Sequence, residues 1–277
     1  MSIYFMKKLS ILSALFLLPL LTCCLLAAPT AQAQELWEED PDAPDATTQQ
    51  GRWGFNTGIG ASLRTSEYKG INSLGSPLPL LGYEGNWLYL RGLSGGVHVF
   101  KNRYHEFNVQ LSYLPQHFYA SWSDSDRMKR LDDRYSSLMA GLNYTLRSRY
   151  GLASATLSTD VLGVNNGVMA DVSYAYPLRF DNIIIMPSVG AQWTDSNYND
   201  YYYSVSSSES RKSGLKEYSP ESAFSPYAGL TLRVALTDSW SVLVNGRALF
   251  LGSEVTDSPM VERSTTYAFN AGFLYAF

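Results

Sequence analysis

Asp160 and Asp171 are the carboxylates whose spacing most invites chemistry. Between them Val164-Asn165-Asn166-Gly167 has the residues of a tight hairpin turn, and both aspartates are equidistant from Asn165-Asn166. A two-residue turn would set them opposite each other, where paired carboxylates serve acid–base work or hold a cation. The preferred reading is plainer, a network in which they meet Arg233 or Arg247 on the same face of other strands. His98 and Glu106 share that face by parity and approach each other across a turn at Asn102. Three histidines, none at zinc-like spacing, predict no metal centre. Serines are plentiful but no Gly-x-Ser-x-Gly elbow is present, so no catalytic residue is assigned and no cofactor is expected. Tyr201-Tyr202-Tyr203 follows Asp195, Asn197 and Asp200. It is either an outer-loop recognition surface, with a weak calcium site as a variant, or an interfacial aromatic belt beside a solvated acidic loop.

The elements that must position these residues are strands. In the last stretch Tyr267, Phe269, Ala271, Phe273, Tyr275 and Phe277 fall on one face, while the residues between them are mostly small or polar. The pattern recurs: Phe107, Val109, Leu111 and Tyr113 oppose Glu106, Asn108, Gln110 and Ser112, and Leu138 to Leu146 alternate with Ser137, Met139, Gly141, Asn143 and Thr145. A face this polar is wrong for a protein core and right for a wet lumen, with the apolar face on lipid. The predicted fold is therefore all-β, an antiparallel transmembrane β-barrel of the bacterial outer membrane. It has about 12 strands if residues 87–100 supply two passes, and 10 if residues 77–91 do not cross fully. Short turns at 102–104, 148–151, 179–182 and 237–239 belong at the periplasmic end, and the loops 115–133, 194–224 and 252–265 outside.

The N-terminus predicts a signal peptide over residues 1–33, with Lys7 and Lys8, an apolar run over 9–28 and the small-x-small site Ala31-Gln32-Ala33. A lipoprotein reading would use Cys23 or Cys24 instead. Residues 34–51 form a flexible acidic lead-in with Pro41 and Pro44, and 52–277 form the barrel. Cleavage after Ala33 removes both cysteines, and with them disulfides, thiolate metal sites and cysteine nucleophiles. It also takes Lys7 and Lys8 from 21 basic residues, leaving 19 against 25 acidic ones, a net charge of −6. An acidic chain without a basic run is a poor nucleic-acid binder. No later stretch has 18 uninterrupted apolar residues, so no transmembrane helix is expected.

Four separated motifs carry a resemblance. They are Tyr83-Glu84-Gly85-Asn86 with Arg91-Gly92-Leu93; Leu131-Asp132-Asp133-Arg134 with Met139-Ala140-Gly141-Leu142; Tyr201-Tyr202-Tyr203-Ser204-Val205-Ser206 with Glu209-Ser210 and Ser213-Gly214-Leu215; and Glu254-Val255-Thr256-Asp257-Ser258-Pro259-Met260-Val261. In this order the chain resembles the MltA-interacting protein (MipA)/OmpV family of outer-membrane proteins over residues 52–277, with Ser204 standing where glycine is usual. The resemblance implies a non-enzymatic scaffold in the Gram-negative outer membrane, in contact with outer-membrane lipid. It would bridge a murein lytic transglycosylase and a bifunctional penicillin-binding protein in peptidoglycan synthesis and remodelling. OmpV-like members imply a porin-like small-solute channel or a surface adhesin affecting antibiotic susceptibility. A barrel enzyme ranks third. No catalytic residues belong to the family pattern, so none carry over. Apart from the lead-in, the periplasmic turns offer an enzyme partner little surface.

Overall fold

The computed structural model describes residues 54–277; the expected signal peptide (1–33) and lead-in (34–51) lie outside the described residues. The strands are β1 (Gly54–Thr65), β2 (Ser73–Glu84), β3 (Leu88–Arg91), β4 (Ser94–Lys101), β5 (His105–Leu114), β6 (Ser137–Ser148) and β7 (Gly151–Asp160). They continue as β8 (Val168–Ala175), β9 (Leu178–Phe180), β10 (Ile183–Thr194), β11 (Ala223–Ala235), β12 (Trp240–Phe250) and β13 (Thr265–Ala276). All pairings are antiparallel, and those of β10 with β11 and β13 with β1 close the sheet on itself.

β8 and β9 pair with β10 in one continuous register, Ala175 opposite Ser188 and Leu178 opposite Ile185. The ladder breaks only beside Pro177 and Pro187, which cannot donate to it, so β8 and β9 count as one strand and the barrel has 12 strands. Closure gives the wall strands a hydrogen-bonded neighbour on each side, apart from the upper part of β2, as a membrane-crossing sheet requires. Ile59, Leu63, Leu230, Phe269 and Phe273 stand exposed on the outer face, whereas Asn108, Asn143, Ser158, Thr231 and Asn270 are buried inside.

β2 starts at Ser73, ahead of the residues 77–91 whose crossing decided between 10 and 12 strands. Its polarity is inverted, with Leu78 and Leu80 buried inward and Pro77 and Pro79 outward, which hides the strand from an alternation test. Leu78, Leu80, Met186, Leu243 and Leu274 meet across the barrel as an apolar ridge. Room for it comes from Gly60 and Gly272, directly opposite in the β1–β13 ladder. A Cβ on Gly272 would stand 2.8 Å from Leu80 Cδ1.

The outer loops pack into a cap with its own core. Residues 195–222 carry α1 (Ser196–Tyr203), capped by Asp195 accepting from Tyr198 N, and α2 (Ser207–Ser213), opened by a Ser206–Glu209 capping box and closed by Gly214 at φ 72°. A one-turn α3 (Ser253–Thr256) lies in the β12–β13 loop. Tyr68, Phe118, Met128, Tyr202, Val255 and Met260, from four different loops, form one buried cluster.

Candidate functional site

β5 places Glu106 inward at the periplasmic end, fully buried. Its carboxylate accepts from Arg91 at 3.0 Å, Arg147 at 2.5 Å and Asn108 Nδ2 at 2.5 Å, with His98 Nδ1 3.5 Å away. Glu84 at the end of β2 takes Arg91 at 3.2 Å, His98 Nε2 at 2.8 Å and Lys101 at 2.6 Å. Asn108 gives its amide to Glu106 and to Asn143, which fixes its oxygen toward His98 Nδ1 at 2.7 Å. His98 therefore meets an acceptor at each ring nitrogen, an arrangement that the imidazolium satisfies and a neutral ring does not. Four cationic side chains thus surround two carboxylates in this group. Arg91 also stacks over the Tyr89 ring at 4.2 Å.

Arg91 and Arg147 border a cavity of about 200 Å³ set to the β4–β8 side of the apolar ridge. Its wall is built by inward serines and threonines, among them Ser112, Ser154, Thr156 and Ser173, with Asp171 and Arg247 across from the arginines. Arg247 lies 3.6 Å over the Tyr227 ring, and the Tyr227 hydroxyl donates to Asp171 at 3.0 Å. The space can hold a small polar solute; no group of three or more metal-ligating side chains occurs among the described residues. A second cavity of about 200 Å³ lies just beneath the cap and shares Ser94, Ser112, Met169, Gln192 and Arg247 with the first.

The structure separates the two aspartates expected to face each other. The β7–β8 connection spans residues 161–167 rather than a two-residue turn, so Asp171 pairs with Thr156 and Gln192. Asp160 instead holds the loop, accepting from Leu162 N at 3.0 Å, Asn165 N at 2.7 Å, Asn166 N at 2.9 Å and Ser137 Oγ at 2.5 Å. Asn166 takes φ 51°, which asparagine tolerates. His98 and Glu106 come together. Arg247 meets Asp171 through Tyr227, whereas Arg233 stands opposite Ile184 and Leu243 nearer the periplasmic end.

The tyrosine run is not the outer surface one of its readings required. Tyr202 is fully buried and donates to Tyr135 O at 2.9 Å, Tyr203 is buried against Tyr68, and Tyr201 is half-buried. Burial pushes the Tyr202 and Tyr203 hydroxyls well above the usual phenol range. Sequence reasoning missed Glu84, Arg91, Lys101, Arg147 and Tyr227. Parity held the signal for Arg147, since extending β6 one residue past Leu146 puts it inward with Asn143 and Thr145.

The profile of the family described as MltA-interacting protein MipA matches residues 57–277. The MltA-interacting protein of Escherichia coli K12 is 36% identical over 223 residues, covering 80% of this chain and 90% of that one. Outer membrane protein OmpV of Vibrio cholerae is 24% identical over 227 residues, covering 70% and 88%. Among solved structures, an outer membrane channel from Pseudomonas putida F1 aligns with a TM-score of 0.43 at 14% identity, covering 87% of this chain and all of that one.

Proposed function

The chain belongs to the MltA-interacting protein MipA family of outer-membrane barrels, and from that premise we propose that it is a non-enzymatic docking protein for the murein machinery. It holds a lytic transglycosylase beneath the outer membrane, with a bifunctional penicillin-binding protein as second partner, so that cleavage and synthesis occur at high mutual effective concentration. The observation that carries the reading is the 36% identity, over nine tenths of its length, to a relative named for binding such an enzyme. The interior supports it, because the apolar ridge and the cored cap fill much of the space that a wide water-filled pore would need.

The test is capture from solubilised envelopes with the barrel immobilised through an outer loop, alongside versions lacking residues 35–50 or altered at the exposed periplasmic turn residues Trp87, Tyr104 and Tyr150. Recovery of a transglycosylase with the intact chain, and its loss with one altered version, is the expected result. Recovery of neither enzyme by a correctly folded barrel overturns the proposal. A second reading, a small-solute channel, draws on the hydroxyl-lined cavity with Arg91, Arg147 and Arg247 on its wall. It predicts anion-selective conductance in planar bilayers that changes with Arg247→Gln.

A further inference from the structure

Among the described residues, β2 is a wall strand with one bare edge. Along its length it pairs with β1, but on the other side only Gly82, Tyr83 and Glu84 meet β3. The β3–β4 hairpin reverses at Gly92, φ 60°, and Leu93, so above it the next wall strand is β5. β2 and β5 do not pair. Two hydrogen bonds close the bottom of the resulting notch, Gly92 N to Leu81 O at 2.9 Å and Tyr113 N to Leu93 O at 3.1 Å. Its top is framed by residues 115–124, tied to the β1–β2 loop through Asp124 N to Gly70 O at 2.8 Å and Ser123 Oγ to Lys69 O at 2.7 Å.

The Leu81 carbonyl points away from β1, toward the notch. Backbone polar groups of alternate strand residues point to the same edge, so those of Gly75, Pro77 and Pro79 face the notch as well. At Pro77 and Pro79 there is no N–H to leave unpaired. An orphan donor facing hydrocarbon is heavily disfavoured, and two prolines delete it at two successive sites on this edge. The same prolines blunt the edge against an added strand from another chain. The edge is built to remain unpaired.

Behind it Leu78, Leu80, Leu93 and Tyr113 pack together, and Leu93, Tyr113 and Leu114 border the outer cavity. Met139, Met169, Leu249 and Leu251 add apolar wall to that cavity. Two of its charged side chains already have partners, Arg64 with His117 at 3.3 Å and Glu67 with Gln116 at 2.5 Å, and Arg247 is stacked on Tyr227. We propose that the notch between β2 and β5 is a lateral window through which an uncharged apolar small molecule exchanges between the membrane's outer leaflet and the outer cavity, with Leu93 and Tyr113 as its gate.

The direct test places a nitroxide at Leu93→Cys in the chain from residue 34 onward, which has no cysteine of its own, reconstituted in phosphatidylcholine vesicles, and measures collision with oxygen. Leu111→Cys on the lipid face and Leu243→Cys behind fully paired strands set the scale. Several-fold higher oxygen accessibility at 93 than at 243 is expected, and equality with 243 shows a sealed wall and overturns the window. Tyr113→Cys repeats the test from the other side of the gate should the first variant fail to fold. N-phenyl-1-naphthylamine probes the ligand class: saturable binding slowed several-fold by Leu93→Trp is expected. Absence of a saturable signal, or rates that Leu93→Trp leaves unchanged, overturns the transport claim.

Discussion

Arg134 Nη2 lies 2.8 Å from the Glu209 carboxylate, joining two outer loops across 75 residues of sequence in a buried ion pair. Burial alone would raise the Glu209 pKa, but donation from Ser206, Arg134 and Asp132 outweighs it and holds the carboxyl below its ordinary range. Removing one partner of such a pair costs roughly 3–5 kcal/mol because the other is left buried and uncompensated. Arg134→Met is therefore expected to loosen α2 and residues 131–135 while the barrel wall persists. Limited proteolysis should cut the cap of the variant first; equal resistance in the two proteins refutes the role given to the pair.

His117 gives the cap a pH dependence. Burial, and then the Arg64 guanidinium, hold its pKa down at about 4, with Nδ1 donating to Pro115 O at 2.6 Å and Arg64 facing Nε2 at 3.3 Å. Tyr119 and Trp122 cover the ring. The folded value lies below the unfolded one of 6.5, so the unfolded segment binds the extra proton. Stability is full above 6.5 and falls on acidification until about pH 4, by on the order of 3 kcal/mol. Glu209 adds a loss of the same sign below its ordinary pKa of 4.5. Protection factors of cap amides, with the intrinsic slowing of exchange towards acid divided out, should fall between pH 6.5 and 4, and His117→Gln should remove that part of the slope.

Glu106 is the counter-charge that lets Arg91, Arg147 and His98 share a buried site. Glu106→Gln keeps the volume and removes the carboxylate that the three cations share, leaving Glu84 as the counter-charge of Arg91 and His98, and a loss of about 3 kcal/mol is expected. The readout is the urea concentration at which the folded, fast-migrating form disappears from unheated gels. Tyr104→Ala, on an exposed turn beside this end, should leave it unchanged.

Asp160 supports three backbone N–H groups of a loop that no other carboxylate reaches among the described hydrogen bonds. Asp160→Ala should cost about 1–3 kcal/mol locally. The amides of Leu162, Asn165 and Asn166 should then exchange faster, whereas Asp171→Asn should leave them alone. Equal effects of the two substitutions would mean that the aspartates act together after all.

Alternation by itself determined the barrel, the lipid and lumen faces, and the inward direction of Glu106, His98, Asp171 and Arg247, because a strand's side-chain period is fixed by covalent geometry. It also located the connections, since turn residues interrupt the alternation. Tertiary structure decided what parity cannot express. The five extra residues in the 161–167 connection shifted the β7–β8 register and took Asp160 from Asp171. Burial of Tyr202 and Tyr203 arises from contacts with loops up to 136 residues away, such as the Tyr203–Glu67 hydrogen bond, and no local pattern encodes these. The bare edge of β2 exists only because a four-residue β3 stops beside it. Strand direction is a local property of the chain; register, neighbour and cover are set by segments distant in sequence that meet only when the barrel closes.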